Sequence, residues 1–504
     1  MINYSSQKQL SIFDFKTEFV SKLNPENRWV KLANLLDWDK LASVYLHSLS
    51  SNMGAPGIDA RIIIGALIIK HIENKDDRGT IEAIQENPYM QYFLGFDGFT
   101  DKPVFDPSLF VSIRKRLGNT QFDKMNAIII AKALNIKIQS EDNTAEKAAK
   151  PEENSKKTDQ KPKNKGKLQM DATVADANIK YPTDLGLLNK AREISEEIID
   201  KVFITLQLDA KPRTYRRKAR ALYLKVAKNK NKTKKIIRKS IKEQLGFIKR
   251  NLGSIAKIVD NNPTALTDLS NAEYRKLLVI NELYRQQEHM YRNKIQSIDN
   301  RIVSIHQPHI RPIVRGKEHR KVEFGAKIQV ILVQGYTRIN KLDYEAFNEG
   351  TCLKQSVEDY KSMMGHYPEV VQTDDIYMNR TNRAYLKENG IRHTGRPLGR
   401  KPKAQLSKYQ KKKLQQERNE RNHIEGKFGQ GKRKYGLNKI MAKLANTQES
   451  AIAAILFVMN ILKLSKDIFV SFFKVLFFDK KIALGINPKA IFIFASKNSI
   501  YKLG

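Results

Sequence analysis

The apolar and polar positions of this chain change period several times, and each change predicts an element. In the first 138 residues the apolar positions recur at helical spacing. Ile62, Ile63, Leu67, Ile68 and Ile69 mark one helix after the turn Gly54-Ala55-Pro56-Gly57. A second runs from Thr80 to Glu86 and stops at Asn87-Pro88, and a third carries Ser112, Ile113 and the cluster Arg114-Lys115-Arg116. Residues 139–166 are polar and low in complexity, the composition of a disordered linker. The period then shortens to two at Leu168-Gln169-Met170-Asp171-Ala172-Thr173-Val174-Ala175, a strand carrying one acid. From Pro182 to about Asn300 the pattern is helical. Strand patterns return at 301–306, at 322–333 and at 337–342, followed by a helix over 353–364 closed by Gly365. A short strand at 370–374 ends in acid. A helix over 379–389 and a basic loop (Arg396, Arg400, Lys401, Lys403) lead to a long helix from Ser407.

Removing the helical stretch after the first strand leaves strand with acid, strands, helix, strand with acid, helices, helix with acid. This is the connectivity of an RNase H-like α/β domain. The expected fold class is therefore α/β: an RNase H-like catalytic domain (167–465) with a large helical insertion (about 186–300), plus an all-α N-terminal domain (1–138) for DNA binding or dimerisation. Residues 466–504 read as an apolar helical extension.

Charge narrows the function. The formal net charge of +38 calls for a polyanionic partner, nucleic acid before an acidic membrane surface. Between residues 211 and 250 seventeen Lys/Arg face the single acid Glu243, a block that repels itself unless solvated or bound to phosphates. Arg216 and Arg217 belong to it, and Tyr215, Tyr223 and Phe247 are interleaved where they could pack or stack on bases. Cys352 is the only cysteine, which excludes an intrachain disulfide and a cysteine-based zinc site. The N-terminus lacks an apolar signal core. The apolar runs 451–462 and 468–478 are each shorter than the roughly twenty residues a bilayer requires. A cytoplasmic, nucleoid-associated protein is expected, with no membrane partner.

The candidate chemistry lies in three distant acids. Arg421, Glu425 and Lys432 stand at offsets of four and eleven in one predicted helix, within a roughly 40° arc of one face. Asp171 and Asp374 end strand-like runs; Asp176 competes with the first and Asp375 with the second. Brought together, Asp171, Asp374 and Glu425 would form a metal-dependent nuclease centre. Mg²⁺ (or Mn²⁺) takes oxygen ligands, and two ions about 4 Å apart can clamp a phosphodiester without a covalent protein nucleophile.

Several segments resemble bacterial insertion-sequence transposases of the DDE class. Asp171-Ala172-Thr173 through Tyr181-Pro182-Thr183-Asp184-Leu185-Gly186-Leu187-Leu188 is similar to the family's first-Asp segment. Arg311-Pro312-Ile313-Val314-Arg315-Gly316-Lys317 with Val322-Glu323-Phe324-Gly325-Ala326-Lys327 resembles the middle segment. Thr373-Asp374-Asp375-Ile376-Tyr377 resembles the second-Asp segment, whose Tyr three residues after the acid selects Asp374 over Asp375. Arg421-x₃-Glu425-x₆-Lys432 matches the signature Y-x₂-R-x₃-E-x₆-K in three of four places, with Arg418 where Tyr is expected. Residues 54–117 resemble the family's N-terminal transposase domain.

The resemblance implies cleavage at the terminal inverted repeats of an insertion sequence, then attack of the freed 3′-hydroxyl on target DNA. Asp171, Asp374 and Glu425 would be the metal ligands. Arg421 and Lys432 would contact phosphates, and Arg311, Arg315, Lys317, Arg216 and Arg217 are further candidates for DNA contact. Two element ends imply a homodimer in the synaptic complex. The alternatives are a catalytically silent DNA-binding relic and an RNase H-like nuclease or resolvase. The insertion follows the first strand, so functions of insertions placed between the second Asp and the Glu do not transfer. Gly426, Gly429 and Gly431 weaken the last helix and could end it near Phe428.

Overall fold

Strand β1 (Lys167–Asp176) is the spine of the sheet, and its two faces differ in kind. Leu168 and Met170 point to one side and pack with Ile331, Val333, Leu353, Val357 and Tyr360. The other side carries Gln169, Asp171 and Thr173, all buried. Buried polar groups are costly unless paired, so this face already marks a site. The computed structural model describes residues 22–49, 57–136, 163–314, 322–399 and 407–484, with side chains to 471. Most of the expected linker, Arg315, Lys317, Arg400, Lys401, Lys403 and residues 485–504 lie outside the described residues.

The sheet order is β2–β3–β1–β5–β6, with β4 on β3. β2 (Pro312–Val314), β3 (Val322–Val333) and β4 (Tyr336–Asp343) run antiparallel, and β3 pairs with β1 so that Asp171 faces Val330. β5 (Val370–Gln372) lies parallel to β1, with Gln169 opposite Gln372, and β6 (Arg392–His393) lies parallel to β5. Between β1 and β2 the chain forms α8 (Asp184–Thr205), α9 (Arg216–Ala227), α10 (Lys234–Asn261) and α11 (Asn271–Asn293). These follow α1 (Arg28–Leu35), α2 (Trp38–Leu46), α3 (Ala60–Glu73), α4 (Asp77–Glu86), α5 (Pro88–Leu94), α6 (Leu109–Arg116) and α7 (Asn119–Leu134). After β4 come α12 (Leu353–Met364), α13 (Arg380–Glu388), α14 (Lys408–Glu420), α15 (Asn422–Lys434) and α16 (Ala445–Leu484).

Four expectations are corrected. Residues 301–306 form no strand. Ile302 and Ile305 are buried in the helical insertion's own core, and Ile302 N–H donates to Gln286 Oε1 at 3.0 Å rather than to a ladder. Its β-branched pattern reflects burial against helices, not pairing. Arg392 and His393, read as part of a loop, form strand β6. The boundary at 465/466 falls inside α16, which joins both apolar runs in one helix. Among the described residues no helix is long and apolar enough to cross a membrane.

The fourth correction bears on the site. The helix carrying the third acid is interrupted at Arg421, which ends α14 and precedes α15, and it runs on through all three glycines. A Cβ on Gly426 would meet nothing within 4 Å, whereas on Gly431 it would stand 3.2 Å from Leu437 and 3.4 Å from Met459. Gly426→Ala should therefore raise stability by up to about 1 kcal/mol through helix propensity. Gly431→Val should cost about 1–3 kcal/mol by overpacking. Urea midpoints of the two variants check this, and equal shifts would refute the packing role of Gly431.

The N-terminal helices share one apolar core with the sheet. Phe122 of α7 packs against Phe457 of α16 with ring centroids 5.8 Å apart and planes tilted by 52°, and α16 continues that core to Ile328, Val330 and Leu332 of β3. A buried knot ties the three together. Asn460 of α16 donates to Asn126 Oδ1 of α7 (2.9 Å) and to Thr337 O of β4 (2.7 Å), and its Oδ1 accepts from Thr337 N (2.9 Å).

Candidate active site

The polar face of β1 is satisfied by the end of α14 and by β5. Gln169 Nε2 donates to Gln372 Oε1 at 2.6 Å and to Glu420 O at 2.8 Å, while Glu420 pairs with Lys167 at 2.5 Å. This latch fixes Glu420, and so delivers the next residue, Arg421, over β1. The two strands enter it in matching register: Gln169 precedes Asp171 by two residues and Gln372 precedes Asp374 by two. Parallel neighbours about 4.8 Å apart at the glutamines bring both acids to the same end of the sheet.

There they meet one guanidinium. Arg421 Nη1 lies 2.9 Å from Asp374 Oδ1 and 3.6 Å from Asp171 Oδ2, and Nη2 donates to Glu425 Oε1 at 3.1 Å. Asp171, Asp374, Glu425 and Arg421 are thus brought together. Asp375 is turned away and accepts from Arg396 N at 3.0 Å. Asp176 faces Lys432 at 3.8 Å. That contact separates Lys432 from the acid cluster: α15 runs alongside β1, and seven residues of helix carry Lys432 about 10 Å beyond Glu425.

Asp171 is the most buried of the three acids, and its carboxyl is pushed up to about 6. Burial is the largest cause, and Asp374 and Glu349 add repulsion. The Ala172 N–H, 2.8 Å from Oδ1, and Arg421 act in the opposite direction. Glu349, in the turn Glu349–Cys352, is a neighbour that the linear pattern does not reveal. It pairs with Lys327 at 2.8 Å and interacts electrostatically with Tyr377, the buried tyrosine three residues after Asp374. The Gln-x-Asp spacing shared by both strands was a readable signal for the latch. Nothing in the sequence marked Glu349.

Other candidate DNA contacts are partly committed within the chain. Arg216 pairs with Asp200 at 2.6 Å. Arg311 is turned to the backbone, with Nη1 3.2 Å from Ile310 O. Arg217 is exposed. Arg250 lies 4.7 Å over Tyr215 and 5.5 Å over Phe247, so these rings pack within the chain.

Among the described residues no three His, Cys, Asp or Glu side chains stand close enough to share one metal ion. The donor set still suits Mg²⁺, which prefers carboxylate oxygen and retains water, so one or two carboxylates per ion suffice.

These features define one acid midway along a strand, Asp171, rather than at a strand end as expected, a second, Asp374, just past the end of its parallel neighbour, and a third, Glu425, on the flanking helix. Residues 371–462 match the transposase DDE domain, and residues 17–116 match a second transposase domain, DUF772. Together the two matches support placing the chain among the bacterial insertion-sequence DDE transposases. An uncharacterized protein, ORF8 in the nfe locus of Rhizobium meliloti, is 25% identical over 180 residues, which are 36% of this chain and 76% of that protein. No solved structure matches the chain.

Proposed function

We propose that the protein binds the terminal inverted repeats of an insertion sequence and catalyses metal-dependent strand cleavage and strand transfer on an RNase H-like scaffold. The observation that carries this reading is the gathering of Asp171, Asp374 and Glu425, from three separate elements, around one guanidinium. The three carboxylates would hold divalent ions, Mg²⁺ or Mn²⁺. Bound there, such ions would polarise the phosphoryl group and lower the pKa of an attacking water. The chain's own part is positioning. The Gln169–Gln372–Glu420 latch holds the acids and Arg421 in fixed relation, and Lys432 sits further along β1, where a duplex backbone could follow α15. Two element ends would be held by two copies of the chain.

The test is a labelled inverted-repeat duplex incubated with the protein and Mg²⁺ or Mn²⁺. Wild type should nick at the element end, and Asp374→Ala should bind the duplex but not nick it. Equal nicking by both would reject the assignment.

The helical insertion supplies the basic surface this reading needs. Lys235, Lys239, Lys242 and Lys249 are exposed and fall at offsets of four, seven and fourteen on α10, within an arc of about 80°. Replacing all four by Gln should reduce the slope of log K against log salt by up to about 3–4, because each phosphate contact contributes about 0.9. Melting temperature should hold. An unchanged slope in filter-binding titrations would remove this stripe from the DNA interface.

A further inference from the structure

Arg421 is held in an unusual way. Nη1 is buried and within ion-pair distance of Asp374 and Asp171, yet it makes no hydrogen bond of acceptable geometry. Its attachment to those two acids is Coulombic rather than directional. The same residue borders a cavity of about 170 Å³ shared with Thr373, Thr394, Arg396 and Arg418, besides Asp374 and Asp375. Thr373 is 5% exposed, and its hydroxyl is buried without a partner. Arg418 donates only through Nε, to Thr394 O at 3.2 Å. One guanidinium therefore stands between a cluster of acids and a cavity lined by Arg418, by an unpaired hydroxyl and by Arg396, which pairs with Asp375 at 3.3 Å.

We infer that Arg421 is the resident counter-ion of the three carboxylates, and that a DNA phosphate entering the Thr373–Arg418 cavity draws it away, coupling phosphate binding to divalent-cation binding. The inference rests on the carboxylate-centre reading above. A guanidinium about 3 Å from the carboxylate oxygens repels any divalent ion seeking the same oxygens, so the two cations compete. A phosphate offers Arg421 the paired acceptors that its planar fork matches and that the acids do not present to Nη1. Because binding couplings are reciprocal, phosphate should tighten metal binding by the factor by which metal tightens phosphate binding. Arg418 has a role in this scheme as a second wall of the phosphate cavity, at the position where the resembled signature has Tyr.

The test is Mn²⁺ binding to the full chain, followed by electron paramagnetic resonance, with and without a short random-sequence duplex. Arg421→Gln should bind Mn²⁺ about tenfold more tightly than wild type in the absence of DNA. The duplex should tighten wild type about tenfold and Arg421→Gln less than about twofold. Arg421→Lys, which keeps the charge, should follow wild type without DNA. If Arg421→Gln gains no affinity, the counter-ion role is overturned. Asp374→Asn separates the two readings. Mn²⁺ binding indifferent to Asp374→Asn removes the carboxylate centre itself, whereas binding lost in Asp374→Asn with no gain in Arg421→Gln removes the counter-ion role alone.

Discussion

Asp171→Asn should abolish strand cleavage and yet make the protein more stable at neutral pH. If Asp171 is a ligand of the proposed carboxylate centre, its loss should cost about 4 kcal/mol of transition-state stabilisation, about a thousandfold in rate. The stability gain follows from the raised carboxyl. Its ordinary value is 3.8 and its folded value about 6. Below pH 4 the group is protonated in both states and contributes no difference. Between pH 4 and 6 the folded state holds the proton more tightly than the unfolded state, so stability falls as pH rises. Above pH 6 the penalty is complete, at most about 3 kcal/mol for two pH units. Asn carries no charge to bury. The variant should therefore exceed wild type in urea resistance at pH 8, and the difference should vanish by pH 4. A difference independent of pH would show that Asp171 is not held in a charge-averse position.

Asn460→Ala should produce the largest loss of stability, about 3–5 kcal/mol, although it lies far from the acids. Its side chain is fully buried and satisfies the backbone N–H and C=O of Thr337 and the side chain of Asn126. Truncation strands these groups away from water, each at about 1–3 kcal/mol. The loss should also loosen the N-terminal helices from the sheet, because α7, α16 and β4 meet at this side chain. Limited proteolysis should then cut the N-terminal helices earlier. The nearby bidentate pair between Arg338 and Asp123 (2.7 Å) is the control. Both side chains are about one-third exposed, so Asp123→Ala should cost under about 1 kcal/mol. A comparable loss in the two variants would refute the role given to the buried knot.

Some of this architecture is legible in the linear pattern. Helix α12 spans 353–364 as expected, because its apolar positions recur at helical spacing and Gly365 adopts the left-handed cap at φ 75°. Asp374 lies two residues past the end of the short strand β5, which stops at Gln372 rather than running to the acid. The reading fails where partners come from afar. Ile302 and Ile305 have strand composition but a helical environment. Arg421 interrupts what periodicity reads as one helix, and Glu349 approaches Asp171 across a separation that no motif spans.

Local periodicity and spacing by themselves indicated several of the helices, most strands and the basic insertion, because each depends on residues within a turn or a strand of one another, while the family resemblance chose Asp374 over Asp375. Tertiary structure alone decided that Lys432 faces Asp176, that Arg421 bridges the acids, and that the N-terminal helices share a core with the sheet. These outcomes depend on register and packing between segments tens to hundreds of residues apart, where charge and shape select the partner only after the chain has folded.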